Sequence, residues 1–284
     1  MSRTRENRYP VYIDSNNNFF KLNLKEAFSY KDLIWLFTRK NLVKRYKQTV
    51  LGPIWLILSP VLTSIMYTII FGTVAGINTE GMPKILFYLA SNGLWMYFSE
   101  VFNRCSSTFS ANAHIFGKVY FPRLVIPISN ILLTLIEFLI QFLILIALCI
   151  WYSLHGLSIP YGTWLWIPVI LVWLGLLAMG LGIMVSSFTT KYRDLRILVS
   201  FGLRLWMYGT PIVYPLSTLK NGLLREGVLI NPATAPVELF RHFVLGIGGV
   251  PMNSIIISLV FTLVSLLAGI VIFNRVERNF MDTI

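Results

Sequence analysis

Three long stretches of this 284-residue chain contain no Asp, Glu, Lys or Arg: residues 48–79, 138–190 and 242–274. A helix that crosses a bilayer needs about 20 consecutive, mostly apolar residues, and each stretch is long enough to supply one. The middle stretch has room for more than one crossing and carries turn signals at His155-Gly156 and at Ile159-Pro160-Tyr161-Gly162. Charged residues make up 13% of the chain and hydrophobic ones 56%, whereas a soluble domain is roughly a quarter charged. So few charges cannot cover a water-facing surface, and lipid as the solvent removes the conflict.

The pattern predicts an all-α polytopic membrane protein with six transmembrane helices in a domain over 53–274. The expected spans cover 53–76, 85–105, 124–153, 163–187, 197–214 and 254–274. Pro53 suits the first position of a helix, where its missing N–H would have no partner anyway. The second span is the least marked, because Asn92-Gly93 interrupts it and Glu100 lies inside it; the fifth carries Pro211. Basic residues concentrate on the cytoplasmic side of inserted proteins. The segment before span one holds Arg3, Arg5, Arg8, Lys21, Lys25, Lys31, Arg39, Lys40, Lys44, Arg45 and Lys47. Arg104 at the end of span two is followed by Lys118 and Arg123 before span three, Lys191, Arg193 and Arg196 fall between four and five, and Arg275 and Arg278 in a tail over 275–284. The opposite side receives Lys84, Lys220, Arg225 and Arg241. Both termini are therefore expected in the cytoplasm, which an even number of crossings satisfies. The net charge of +12 reflects this asymmetry and does not indicate a nucleic-acid partner. Cys105 and Cys149 lie in or beside apolar segments and imply neither a disulfide framework nor a metal site. The first fifty residues are polar and basic, unlike a cleavable signal peptide.

Two segments do not read as ordinary loops. After a cytoplasmic segment over 1–30, residues 31–50 place Leu33, Leu36, Phe37, Val43, Tyr46 and Val50 at helical spacing among Arg39, Lys40, Lys44, Arg45 and Lys47. This predicts an amphipathic helix lying in the membrane interface against anionic lipid; the alternative is a plain juxtamembrane charge run. Residues 215–251 contain short apolar stretches broken by Asn231-Pro232 and Ala235-Pro236, with Glu238 and Arg241 three apart. Short re-entrant helices between spans five and six fit this pattern, since broken backbone at membrane depth needs protein or a wet cavity around it. An exported loop is the alternative.

Polar residues inside the spans carry the remaining information. Glu137 lies about 20 Å along span three at helical rise. A charge at that depth costs about 2.5–3.5 kcal/mol on insertion scales, so it must be protonated, paired or facing a wet cavity. Arg204 in span five is a candidate partner, either as a structural pair or as part of a conduit wall. Arg196 and Arg204 share a helix face with Ser200 between them. They can meet a phosphate in bidentate fashion or serve only as positive-inside anchors. Tyr67 and Phe71 in span one and Trp206 and Tyr208 in span five can pack on the C–H faces of sugars; interface belts and helix packing are the competing explanation. No nucleotide-binding phosphate loop is present, because Gly117-Lys118 lacks both the earlier Gly and the following Ser/Thr. His114, His155 and His242 are far apart and form no catalytic or metal-spaced set.

Four segments in order carry a family resemblance: RYKQTVLGPIW (Arg45–Trp55), NAHIFGKVYFPR (Asn112–Arg123), KYRDLR (Lys191–Arg196) and NPATAPVELFR (Asn231–Arg241). Together they resemble the permease subunits of type-2 ABC exporters for O-antigen and capsular polysaccharide, over about residues 30–275. The resemblance implies a homodimer in the bacterial inner membrane, working with a separate ABC ATPase that supplies ATP and Mg. The cargo it implies is an undecaprenyl-diphosphate-linked polysaccharide. It also implies a cytoplasmic mouth at Leu51-Gly52, to which the reading of the residues adds Pro53, Arg196 and Arg204, and it supports spans one and five as channel-lining elements, with Tyr67, Phe71, Trp206 and Tyr208 as the expected conduit residues. ATPase coupling falls to the loop over 106–122, with Asn112, His114, Phe116, Lys118 and Tyr120. The chain itself is expected to bind no cofactor and catalyse no reaction. Export of teichoic acid or another amphiphile by the same fold is an alternative. A membrane-bound glycan transferase is a third, and it would need acidic or histidine residues clustered at one membrane face.

Overall fold

In the computed structural model the described residues are 28–47, 52, 54–116, 118–119, 121–189 and 194–280, with side chains to 276. Their regular elements are all helical, with no strand among them. Helix α1 is Lys31–Lys47. Helix α2, Ile54–Tyr67, runs on as a π-helical segment, Thr68–Val74. Next come α3 (Lys84–Ser106), the short α4 (Thr108–Phe116) and α5 (Val125–Leu154). A 3-10 turn, Tyr161–Trp166, leads into α6 (Ile167–Thr189), followed by α7 (Leu195–Tyr208), α8 (Leu223–Ile230), α9 (Thr234–Leu245) and α10 (Met252–Phe280).

Among the described residues, four helices are long and apolar enough to cross a membrane: Ile54–Val74, Val125–Leu154, Tyr161–Thr189 and Met252–Val276. Helix α3 matches them in length but carries Asn92, Glu100, Asn103 and Arg104. It tolerates these because it is deeply enclosed: Leu86, Phe87, Tyr88, Leu94, Phe98, Val101 and Cys105 have lost essentially all solvent contact. Helix α7 has 14 residues, about 21 Å at helical rise. It stops at Tyr208, short of Pro211, whose ring and missing N–H cannot continue the ladder. Asp194 precedes α7 at its positive end, and Asp32 opens α1 while Lys44, Arg45 and Lys47 close it; both placements favour the helix dipole.

The core is α3 and α10 packed on opposite sides of α6. Small residues permit the close approach, as is usual where lipid offers no hydrophobic drive between helices. A Cβ placed on Gly180 would sit 2.7 Å from the Leu266 backbone nitrogen of α10, and one on Gly182 would sit 2.9 Å from the Phe102 carbonyl oxygen of α3. Trp173 Nε1 donates to Thr262 Oγ1 at 3.1 Å across the α6–α10 seam. Helix α2 is different. It turns Leu56, Pro60 and Ser64 inward and leaves most of its apolar surface exposed.

Helix α1 does not gather its apolar residues on one face. Leu33 and Phe37 pack with buried Ile34 toward the core, while Trp35, Leu36 and Val43 face outward among Arg39, Lys40 and Lys44. Thr38 is buried, and its hydroxyl donates to the Ile34 carbonyl at 2.8 Å while lying 3.3 Å from the Ser129 carbonyl of α5. The helix thus has one face on protein and another, apolar and basic together, that is open. Val50 and the side chain of Tyr46 lie outside the described residues.

The tightest backbone contact yields a test. Gly269→Ala places a Cβ 2.5 Å from the Gly180 carbonyl oxygen, and overpacking of this kind costs about 1–3 kcal/mol. Thermal unfolding of the detergent-purified protein should show a lowered midpoint. Gly249→Ala, where a Cβ meets nothing within 4 Å, should leave the midpoint in place.

Candidate functional site

Three groups of polar and aromatic residues stand out along the bundle: one at the end nearest α1, one part-way along, and one at the far end. The first is an ionic quartet. Arg45 Nη1 donates to Glu100 Oε1 at 2.7 Å and to both oxygens of Glu137 at 3.2 Å. Arg104 donates through Nε to Glu100 at 2.9 Å and through Nη2 to Glu137 at 2.8 and 3.0 Å. The Glu137 side chain is 4% exposed, so an unpaired charge there would be costly. Its partners come from α1 and α3, and not from Arg204 as depth along the helices suggested. Arg204 projects from the exposed side of α7. Beside the quartet, α2, α3 and α5 line a half-open cavity of about 150 Å³ with Trp55, Ser59, Thr134 and Gln141 on its walls.

The second group is an aromatic seam between α2, α3 and α7. Tyr67 and Phe71 meet edge to face at 5.6 Å, and Tyr67 also meets Tyr88. The Tyr67 hydroxyl donates to Met207 Sδ at 3.4 Å, which brings the residues expected from spans one and five together next to Tyr208. Tyr208 is exposed. Trp206 turns the other way, onto Trp95 and Phe98 at 6.3 and 5.3 Å, and its Nε1 donates to Asn231 Oδ1 at 2.9 Å. Asn231 also donates to the Gly209 carbonyl and to Thr210 Oγ1, both at 2.9 Å. It therefore pins the end of α7 to the segment that follows. Sequence reading treated Asn231-Pro232 only as a break and did not anticipate this joint. The π-helical turn after Tyr67 was also unforeseen; such turns are rare and concentrate at functional positions.

The third group closes the far end. Glu80, at φ 56°, accepts from Ser217 Oγ and from the Gly248 N–H at 2.8 Å. Glu238 pairs with Arg241 and accepts from the Leu216 N–H at 3.3 Å. The Arg241 guanidinium lies 4.6 Å from the centre of the Phe87 ring. Burial pushes the Glu238 carboxyl above its usual range and the Arg241 guanidinium below its own, and the attraction between them opposes both shifts. Pro236 does not break α9, because it falls in the first turn, where a missing N–H is harmless. Leu223 and Leu224 on α8 are among the most exposed apolar side chains, at 93% and 80%.

The remaining sequence-derived residues divide as follows. Leu51, Pro53 and Tyr120 lie outside the described residues, whereas Gly52 sits in a turn at φ 48°. Arg196 is exposed at the start of α7, where it borders a cavity of about 360 Å³ with Asn103, Ser106 and Ser200. In and after α4, His114 and Lys118 are exposed, and Asn112 donates to the Thr108 carbonyl of its own helix at 2.9 Å. Phe116 is buried against Phe109 and Phe121. Phe109 in turn stacks on Phe273 of α10 at 4.4 Å, so these rings fasten α4 to the bundle and leave His114 and Lys118 as its free polar groups.

Residues 32–245 match the family described as ABC-2 type transporter. The chain is 31% identical over 264 residues to an O-antigen export system permease protein RfbA of Klebsiella pneumoniae, covering 92% of this chain and 97% of the relative. A second protein of that name and organism is 30% identical over 92% and 97% of the two chains. One from Myxococcus xanthus is 27% identical over 77% and 82%.

The far-end pair yields a test. Glu238→Ala would leave the Arg241 side chain, 1% exposed, without its counter-charge, at a cost of about 3–5 kcal/mol. The purified variant should unfold at clearly lower temperature, and the double change to Glu238→Leu with Arg241→Met should recover most of the loss. An unchanged midpoint for Glu238→Ala would show that the pair does not hold the far end.

Proposed function

The chain belongs to the ABC-2 type transporter family, and from that premise we propose that it is the permease of an ATP-driven exporter moving a lipid-linked polysaccharide of the O-antigen kind across the bacterial inner membrane. The observation that carries the cargo is the near full-length likeness to two proteins named as O-antigen export permeases. The aromatic seam is chemically suited to it: rings accept the C–H faces of sugars, while Tyr67 and Tyr208 offer hydroxyls to sugar oxygens.

In this reading six helices cross the membrane, α2, α3, α5, α6, α7 and α10, with both termini in the cytoplasm. The α1 end then faces the cytoplasm, as the excess of Lys and Arg there favours. Helices α8 and α9 dip into the outer leaflet, which suits the exposed Leu223 and Leu224. The exposed faces of α2 and α7, including Ile65, Ile69, Phe201 and Leu205, meet lipid and a second copy of the chain, with the conduit between the copies. Arg196 and Arg204 stand at the cytoplasmic mouth, where guanidinium suits a polyprenyl diphosphate. Energy comes from a separate ABC ATPase that binds ATP and Mg and docks on the segment containing α4, through His114 and Lys118.

The test is made in cells that build the glycan. Removing the partner ATPase, or this permease, should abolish surface glycan and leave lipid-linked glycan trapped on the cytoplasmic side. Normal surface glycan in either strain would contradict the proposal.

A further inference from the structure

The half-open cavity between α2, α3 and α5 has two properties that the ionic quartet alone does not explain. The first is its depth, which two helices set independently. From Trp55 to Val74, and from Glu137 to Leu154, α2 with its π-helical turn and α5 each run about 26 Å, close to the thickness of the hydrocarbon core of a bilayer. With those far ends at one edge of the hydrocarbon, the cavity falls at the other edge, where lipid headgroups begin. Trp55 lines the cavity and is itself exposed, and an amphipathic ring of this kind favours that level. The second property is a gradient from charged to apolar. Arg45 and Glu100 line one part with side chains 45% and 35% exposed, and Leu56, Met96 and Phe138 line another. A narrow apolar cleft shares Pro60, Phe138 and Gln141 with the cavity and continues along α5 to Phe142 and Leu145. Gly93 lines that cleft; it is buried, yet a Cβ there would meet nothing within 4 Å.

The polar chemistry selects among ligands. At about 150 Å³ the cavity matches one that admits a benzene-sized group, enough for the few heavy atoms of an aminoethyl phosphate. Arg45 and Glu100 offer both signs of charge, so a headgroup carrying an ammonium and a phosphate meets each with its opposite. A purely anionic headgroup sets like charge against Glu100. Gln141 Oε1 is buried with no hydrogen-bond partner among the described residues, and as an acceptor it needs an N–H or O–H. A primary ammonium supplies three N–H donors, whereas a quaternary one supplies none. We propose that this cavity is a lipid site. It holds the headgroup of a zwitterionic phospholipid with a primary amine, the ammonium on Glu100 and Gln141, the phosphate on Arg45 and one acyl chain along the cleft past Gly93. Such a lipid completes the packing of α2 against α3 and α5, where side chains leave space. The site is separate from the aromatic seam and rests on neither the cargo nor the ATPase.

The test uses the detergent-purified permease, stripped of lipid and given back phosphatidylethanolamine, phosphatidylcholine or phosphatidylglycerol with identical acyl chains. Native mass spectrometry should show the ethanolamine lipid retained about ten-fold more strongly than the other two, the worth of one hydrogen bond to a charged group. It alone should raise the thermal midpoint, by about 2 °C or more, as binding to the folded state does. Ser59→Phe, which places a ring at the exposed mouth, and Gln141→Leu should each abolish the preference while the lipid-free protein unfolds as before. Equal retention of the three lipids overturns the proposal, as does a preference that survives both variants. If glycerophosphoethanolamine, which lacks acyl chains, substitutes for the lipid, the ligand is a soluble zwitterion and the lipid claim falls. Displacement of the ethanolamine lipid by a polyprenyl phosphate would assign the cavity to a cargo carrier, and disulfide formation between two copies through Ser59→Cys would assign its mouth to a protein interface. Either result also overturns the proposal.

Discussion

A carboxylate at mid-helix in an apolar bundle must be neutralised, and the way Glu137 is neutralised shapes one end of this molecule. Among the described residues, its arginine partners come from α1 and α3, so a single buried charge joins an element outside the spanning bundle to two within it. The second carboxylate, Glu100, closes the square. An ion pair of this kind adds little stability compared with apolar packing, but removing one member is expensive. That asymmetry favours a fixed relative placement of α1, α3 and α5.

Around that joint the bundle divides into a tight part and a loose part. Helices α3, α6 and α10 touch backbone to backbone at Gly180, Gly182 and Gly269, and interfaces packed this closely do not deform gradually. Helix α2 has a cavity behind one end and a π-helical turn at the other, and α7 buries only Leu203 fully. The aromatic seam lies between these two loosely held helices. In the proposed reading, three closely packed helices form the frame, and the two helices assigned to the conduit are ones that bury few residues. The far end is held together by bonds of another sort, with Glu80 bridging Ser217 and Gly248 and Glu238 buried against Arg241.

Much of this was legible in the sequence, for identifiable reasons. The uncharged runs gave the long apolar helices directly, because a bilayer imposes length and composition on whatever crosses it. The spacing of Glu238 and Arg241 gave their pairing, since helix geometry alone brings residues three apart together. The pairing of Glu137 was not legible. Its depth in α5 could be counted, but depth does not say which helices lie alongside, and Arg204 stands on the exposed side of α7. A usable signal existed in Glu100 and Arg104, four apart in α3, which marked that helix as the site of a charge cluster. Trp206 was read as a lining ring, whereas Asn231 draws it inward. No local pattern distinguishes an asparagine that merely breaks a helix from one that also ties two helices together.

The central claim is that the chain conducts a glycan and leaves its chemistry unchanged. The most direct measurement is purification of the permease with its ATPase into lipid vesicles, followed by ATP hydrolysis and glycan analysis with and without lipid-linked polysaccharide. The account predicts that the glycan stimulates hydrolysis, crosses the membrane and is recovered unaltered. A permease that binds no ATPase, or a glycan that is cleaved or extended by this chain alone, would contradict it.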